Sequence, residues 1–224
     1  MTPRPIERPV PLRQSVYDAL IELIIVGSLP PGQHLVESEL ARHLGVSRQP
    51  VREALHRLQA EGWIDLRPGQ GAFVHVPTDE EVDQLLTVRS LLEGGSARLA
   101  ARVSTPEQIE HLRELVRAGE AALAEEHPEV ESLVASNAEF HSYVTRMASN
   151  TVLAELITLV DRRIRWYYAP LARHRGHDSW DEHTELVDAL AAHDEDRAAA
   201  IARDHSETTR ATYHDLKAAG ELEL

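Results

Sequence analysis

The chain has 224 residues, 42% of them hydrophobic, which suits one small and one medium domain with buried cores. Because it contains no cysteine, disulfides and thiolate metal sites are excluded, and any transition metal must bind His, Asp, Glu or neutral oxygen atoms. The formal charge of -14 argues against DNA binding, but residues 1–76 carry 8 Arg and 8 Asp/Glu, so the acidic excess lies entirely downstream. Phosphate attraction is a local field effect, and a neutral N-terminal domain remains compatible with DNA.

The first segment of the chain is predicted to be a flexible arm covering residues 1–9, because it has no apolar signal-peptide region and no periodicity. No apolar run approaches the length of a membrane span, so we expect a cytoplasmic protein without membrane contact. Apolar residues then recur at helical spacing from residue 12 to residue 26, where glycine and proline follow. A supporting first helix is therefore predicted.

Residues 37–57, ESELARHLGVSRQPVREALHR, have the pattern of a helix-turn-helix. Ser47 is expected to cap the second helix with its hydroxyl, and Pro50 falls in the first turn, so the helix should begin at Arg48. In helix-turn-helix proteins the first residues of this helix contact base edges in the major groove. Because Arg48 and Arg52 are one turn apart on one face, double-stranded DNA is the expected partner.

A β-hairpin is predicted directly after the helix-turn-helix. Residues 63–67 and 72–76 read as strands, and the Pro-Gly-Gln-Gly sequence at 68–71 reads as the turn between them. A hairpin in this place makes the N-terminal domain, residues 10–76, a winged helix-turn-helix.

From Thr78 onward the pattern changes to helices alone. Thr78 and Glu81 form a capping-box sequence that starts the first of them. Further helix starts are indicated at Thr105, His127, Asn150, near Ser179, and at Asp194. About six helices with apolar stripes follow from these starts, which predicts an antiparallel all-α helical bundle over residues 78–218 in a mainly α protein.

Several runs resemble the GntR family of bacterial transcription regulators, namely LPPGQHL at 29–35, LGVSR at 44–48 and PVREAL at 50–55. The helical part, with VRSLLE at 88–93 and NAEFH at 137–141, resembles the FCD ligand-sensing domain of the FadR subfamily, and its helix number is closer to the VanR-like branch. The resemblance implies a homodimer on a palindromic operator, usually a repressor, which is released when a small carboxylate metabolite enters the helical domain.

The predicted DNA-binding residues are Ser47, Arg48, Gln49, Arg52, Gly69 and Gly71. Gln49 is a weaker candidate, for a phosphate contact. The two arginines match base-contacting residues of the family, and the two glycines match the tip of the wing, which enters the minor groove. Ser38 departs from the family pattern, which often has a third DNA-contacting arginine there, so the operator preference is expected to differ from that of relatives.

Three histidines, His141, His183 and His205, match the metal positions of the FCD domain. Asn137 precedes His141 by four residues, so both side chains project from one helical face and can reach a common ion. The implied cofactor is a divalent transition metal ion, with zinc and nickel as the first candidates. Spacing alone is weak evidence, since the chain has 13 histidines and helical histidines are usually surface or core residues.

Asn137 also departs from the family pattern, in which the first metal ligand is usually an aspartate. Four neutral ligands would leave the charge of the ion uncompensated and increase its attraction for an anion, so we expect the effector to supply a carboxylate. Arg89 matches a family arginine that binds the other end of the effector. The alternative for Arg89 is an intrahelical ion pair with Glu93, four residues on.

Three other interpretations of the second domain stay open at this stage: a sensor of the metal ion itself, a metal-free ligand sensor, and a metalloenzyme. An enzyme is disfavoured because the sequence offers no clear general base near the ligands and because catalysis does not explain a winged helix. Trp166, Tyr167 and Tyr168 are interpreted as core residues.

Overall fold

The computed structural model describes residues 11–222, which form two units, one ending at Val76 and the other starting at Pro77. The arm predicted for residues 1–9 lies outside the described residues. None of the helices in the described range is both long enough and apolar enough to span a bilayer.

The first unit combines three helices with a small antiparallel sheet. The elements are α1 (Leu12–Ile25), β1 (His34–Leu35), α2 (Glu37–His43), α3 (Arg48–Ala60), β2 (Ile64–Arg67) and β3 (Gly71–Val74). The predicted helices and the hairpin are confirmed, whereas β1 was not predicted. This strand is too short to show alternation in the sequence, and it forms only because Leu35 pairs with Ala72 of β3, giving the strand order β1-β3-β2.

The turn of the helix-turn-helix lies where the sequence indicates it. Gly45 has a φ of +66°, a left-handed conformation that suits glycine, and α3 begins at Arg48. The prediction for Ser47 was wrong in one respect, because Ser47 occupies the N-cap position but its side chain makes no capping hydrogen bond. A capping oxygen bonds the second or third N–H of the helix, and the third residue here is Pro50, which has none.

The second unit is entirely helical within the described residues. It consists of α4 (Asp79–Val103), α5 (Pro106–Leu123), α6 (Val130–Met147), α7 (Thr151–Tyr168), a 3-10 turn (Ala169–Leu171), α8 (Ala172–Ala191) and α9 (Glu195–Ala219). The mainly α fold is therefore confirmed. The longest helices, α4 and α9, pack against each other, and α6, α7 and α8 pack against α4.

Most of the predicted helix starts are confirmed by their caps. Thr78 and Thr105 form complete capping boxes, and the side chains of Asn150 and Asp194 accept N-terminal amide hydrogens. The start predicted near Ser179 was wrong, since α8 begins at Ala172 and bends at Gly176, which has φ 38° and ψ -126°.

Helix α6 also starts later than predicted, at Val130 rather than at His127. Glu129 occupies the N-cap position instead, and His127, unlike Thr105, is not a residue type that caps helix N-termini.

Close packing between α5 and α8 depends on Gly119. A Cβ atom at this position would lie 2.0 Å from Cζ2 of Trp180 on α8. The Trp180 ring in turn lies 4.8 Å from the ring of His183, measured between centroids, and His183 stacks on Phe140 at 4.1 Å. The missing side chain at Gly119 thus allows the aromatic packing that fixes the His183 ring.

We predict that Gly119→Ala lowers the free energy of unfolding by about 1–3 kcal/mol, because the added methyl group overlaps Trp180. Gly95→Ala is the matched control: it is also in a helix interior, nothing lies within 4 Å of its would-be Cβ, and it should raise stability by about 0.5–1 kcal/mol. Urea unfolding followed by circular dichroism measures both. Equal stability of the two variants would contradict the close packing at Gly119.

Candidate functional site

The exposed face of α3 carries two arginines that share one carboxylate. Arg52 donates from Nε and Nη2 to the two oxygens of Glu37, at 2.9 Å each, and Arg48 Nη2 donates to Glu37 Oε2 at 3.2 Å. The hydrogen bonds from Arg52, followed by those from Arg48, lower the pKa of Glu37 to about 2. Glu37 is therefore ionised at neutral pH, and it joins the start of α2 to the first turns of α3.

The other sequence-predicted DNA-binding residues also lie on the surface of this unit. Gln49 is exposed and donates to Glu53 Oε1 at 2.9 Å, and Ser47 is exposed at the N-cap. Gly69, with a φ of +73°, lies in the exposed turn between β2 and β3, and Gly71, with a φ of +103°, is the exposed first residue of β3.

A hollow of about 190 Å³ lies between Arg52 of α3 and the two strands of the wing. Its lining includes Glu37 and Arg52 on one side and Leu66 and Gly71 on the other. The structure thus brings Arg52 and the start of β3 to one surface, although they are far apart in the sequence.

In the second unit, His141, His183 and His205 come together from α6, α8 and α9. One ring nitrogen of each lies within 4.8 Å of the others, and His141 Nε2 is 3.2 Å from His183 Nε2. His183 and His205 are buried and His141 is half-buried. The three histidines that the resemblance selected are thus neighbours in the structure and can form a metal site.

Arg89 lies directly among these rings. Its Nη2 is 3.0 Å from His141 Nε2 and 3.5 Å from His205 Nε2, and its Nε donates to Glu93 Oε1 at 2.9 Å. The intrahelical pair with Glu93 is therefore present, but a second part of the guanidinium faces the histidines. A ring nitrogen that accepts a hydrogen bond from Arg89 cannot use the same lone pair to bind a metal.

Two carboxylates lie behind the histidine rings. Glu182 Oε2 is 2.7 Å from His205 Nδ1 and also pairs with the buried Arg175, while Glu93 Oε1 is 3.4 Å from His141 Nδ1. Carboxylates in this position fix the orientation of an imidazole and raise its basicity as a ligand. Each carboxylate is also paired with an arginine, so the expectation that a bound ion lacks full charge compensation stays a prediction.

Neither Glu182 nor Arg175 was selected from the sequence. Glu182 precedes His183 directly, and adjacent helical residues do not point the same way, so nothing in the local pattern connects Glu182 with the metal positions. Its partner His205 lies on another helix. The spacing of Arg175 and Glu182, seven residues or two turns, was the one usable signal.

Burial keeps the three histidines neutral. Desolvation lowers the pKa of His141, His183 and His205 well below the ordinary value, and the nearby Arg89 acts in the same direction. Desolvation also raises the pKa of Glu93, against the opposing effect of Arg89. Neutral imidazoles have free lone pairs at neutral pH, as metal ligands require.

Asn137 supplies a further group of the right kind. It is 4% exposed, lies one turn before His141 on α6, and its Oδ1 is buried without a hydrogen-bond partner in the described part of the chain. A buried carbonyl oxygen without a partner is costly unless a ligand or water satisfies it. Three neutral imidazoles and this oxygen therefore fit a divalent transition metal ion.

A cavity of about 570 Å³ adjoins the cluster between α6 and α7. His141 and Glu93 form part of its wall, together with Thr145, Asp161 and Arg165. This volume is within the range of small-molecule sites. Trp166, Tyr167 and Tyr168 are buried, as expected for core residues.

Comparison with known proteins agrees with this architecture. Residues 12–74 match the family described as bacterial regulatory proteins, gntR family, and residues 84–208 match the FCD domain. The Nta operon transcriptional regulator of Aminobacter aminovorans is 30% identical over 181 residues, which are 78% of this chain and 81% of that protein. The HTH-type transcriptional repressor RspR of Escherichia coli K12 is 30% identical over 138 residues, 62% of this chain and 60% of that protein.

Among solved structures, E. coli McbR/YncC superimposes with a TM-score of 0.79 at 24% identity, covering 93% of this chain and 99% of that one. At this identity the likeness shows the fold, and the sequence matches carry the assignment of function. The two domain matches and the relatives establish that this chain belongs to the GntR family of DNA-binding transcription regulators and has an FCD domain.

Proposed function

We propose that this regulator is a repressor that binds a palindromic operator as a homodimer and leaves it when a small carboxylate binds at the histidine cluster. The observation that carries the proposal is the convergence of three neutral imidazoles with the buried Arg89 beside a ligand-sized cavity. A repressor role is in line with the name of the relative RspR. Action on an operator also implies the cytoplasmic location expected from the sequence.

DNA recognition is assigned to the exposed face of α3. Arg48 and Arg52 have side chains that are 63% and 50% exposed, and both are near the N-terminus of the helix that reads the major groove in proteins of this architecture. Arginine can bind guanine through two hydrogen bonds. Ser47 and Gln49 lie beside them, and Gly69 and Gly71 of the wing are assigned to the minor groove.

The metal ligands are proposed to be Asn137, His141, His183 and His205, with zinc or nickel as the first candidates. A bound divalent ion supplies positive charge that attracts a carboxylate. Glu93 and Glu182 lie behind two of the rings, but each is paired with an arginine, so they reduce this attraction only slightly.

Arg89 is proposed to bind the effector after it leaves the ring nitrogens. Its Nη1 is buried and has no hydrogen-bond partner within the described residues, so the guanidinium has donor capacity left in this structure. A planar guanidinium binds a carboxylate through two parallel hydrogen bonds. Without ligand, Arg89 thus donates hydrogen bonds to the ring nitrogens that a metal would use. With ligand, it donates to the carboxylate of the effector.

Two alternatives retain support from particular atoms. Recognition of a carboxylate by Arg89 without metal is favoured by the unpartnered Nη1 and by the weak ligand Asn137. A sensor of the metal ion itself is favoured by the three imidazoles. Release of the operator by a carboxylate alone, or by the metal alone, distinguishes the two. An enzyme is not proposed, since the relatives and the fold indicate a transcription regulator.

Self-association is proposed to use an apolar surface on α4 and α7, two helices that pack together. Val152, Leu156 and Leu159 are 64%, 46% and 77% exposed and follow one face of α7, and Val88 and Leu91 of α4 are 41% and 67% exposed. Clustered exposed apolar residues mark protein contacts. A palindromic operator requires two copies of the reading helix, so the proposed occupant is a second copy of this chain.

We expect Arg52→Ala to weaken binding to an operator, selected by the wild-type protein from random duplexes, by roughly 1–3 kcal/mol, because a base contact is lost. Binding to unselected DNA should change much less. Arg42→Ala, an exposed arginine on α2, is the control and should have a small effect that is equal on both DNAs. Fluorescence anisotropy measures the affinities, and equal losses for Arg52→Ala on both DNAs would contradict base reading.

Metal analysis by mass spectrometry tests the histidine cluster. Purified untagged protein should carry about one transition metal ion per chain, and His183→Ala should lose it. His111→Ala, which changes a half-buried histidine paired with Glu114, should keep the ion. Thermal unfolding confirms that the variants are folded. Absence of metal from the wild type, or retention in folded His183→Ala, would contradict the metal proposal.

For the self-association surface, Leu159→Glu should convert dimers to monomers in size-exclusion chromatography with light scattering, because a charge would be buried between the copies. Leu12→Glu makes the same change at a leucine that is 57% exposed on α1 and should leave the dimer intact. A Leu159→Glu protein that remains dimeric would rule out this surface.

A further inference from the structure

The carboxylate of Glu37 is positioned at the surface assigned to DNA recognition, where a negative charge is unexpected. It belongs to α2, yet both of its oxygens accept hydrogen bonds from arginines of α3. Its side chain is 27% exposed, whereas those of Arg48 and Arg52 are 63% and 50% exposed. An acidic group near phosphates weakens DNA binding by repulsion. A carboxylate at this surface therefore calls for a second, favourable effect.

The hydrogen bonds of Glu37 leave specific donors of the arginines available. Arg52 uses its Nε and Nη2 for the carboxylate, so the Nη1 side of the guanidinium remains directed away from Glu37. Arg48 uses only Nη2. Arginine presents its donors in a rigid planar fork, so fixing one edge of Arg52 also fixes the direction of the other edge.

A single exposed ion pair restrains an arginine only weakly, because long side chains keep much of their freedom and water screens the charges. Glu37 differs in two respects. It binds Arg52 through two parallel hydrogen bonds, and it joins two cations that would otherwise repel each other across one helical turn. Both arginines are therefore restrained by the same group before DNA arrives.

We propose that Glu37 is a positioning residue for DNA recognition, which holds Arg48 and Arg52 in the arrangement that reads base edges and so increases discrimination between the operator and other DNA. This inference rests on the proposed role of the two arginines. Without the carboxylate, affinity for the operator should fall because the arginine donors are no longer preorganised. Affinity for other DNA should rise slightly because attraction to phosphate increases.

The test compares Glu37→Gln, Glu37→Asp and the control Glu39→Gln on selected operator and on random DNA at several salt concentrations. Glu39 is exposed on the same helix, and the hydrogen bonds and ion pairs described for Arg48 and Arg52 go to Glu37 instead. Glu37→Gln should weaken operator binding about tenfold and bind random DNA equally or slightly more tightly. Glu37→Asp should recover part of the discrimination, and Glu39→Gln should keep all of it.

A double-mutant cycle separates positioning from a general charge effect. In the Arg52→Ala background, Glu37→Gln should weaken operator binding by a smaller factor than it does in the wild type, because only Arg48 is left for Glu37 to position. Operator and random DNA both binding more tightly to Glu37→Gln would show that Glu37 merely repels phosphate. Unchanged discrimination in Glu37→Gln would also overturn the inference.

The same measurements distinguish failure of the inference from failure of the proposed function. If Arg48→Ala and Arg52→Ala lose discrimination but Glu37→Gln does not, the arginines read DNA without help from Glu37. If the arginine variants keep full discrimination, α3 does not read the operator through them, and the premise fails with the inference.

Discussion

The histidine cluster of the second unit is organised around one buried ion pair, between Arg89 and Glu93 on α4. Arg89 is 1% exposed and Glu93 is 8% exposed, so each charge has lost nearly all contact with water. Buried charges are tolerated only with partners, and theirs come from other helices: His141 of α6, and His205 and Ser206 of α9. These contacts join α4 to α6 and α9 through polar groups, beside the apolar core of the same helices. The ligand proposed for this site would replace some of these contacts.

Both units contain an arginine held by a glutamate, but the exposure of the two ion pairs differs, and so does the cost of breaking them. The pair of Arg52 with Glu37 is exposed, so solvent screens it and DNA can compete for the arginine without a large cost. The pair of Arg89 with Glu93 is buried, so breaking it is costly unless another anion takes the place of the carboxylate. The first arrangement is compatible with the reversible DNA contact proposed for α3, and the second with the ligand response proposed for the bundle.

Local sequence rules predicted the elements well and the site only in part. Gly45 and Thr78 determine where a turn or a helix must occur through their own backbone or side-chain chemistry, so the sequence alone sufficed there. The histidine cluster required the resemblance, because its members come from three helices and spacing cannot show that they meet. Glu37 and Glu182 were missed for the same reason: each acts on residues of another helix, and such contacts are defined by the packing. The bend at Gly176 was missed because a single glycine is tolerated within many helices.

We propose that a metal ion, and with it the effector, binds at the imidazole nitrogens that face Arg89 in this structure. Anomalous diffraction from crystals grown with zinc or nickel, recorded on both sides of the absorption edge, tests this claim most directly. We expect one peak per chain among the rings of His141, His183 and His205, with the guanidinium of Arg89 no longer bonded to His141. Crystals that show no peak there, with Arg89 still donating to His141 as it does at 3.0 Å in this structure, would contradict it.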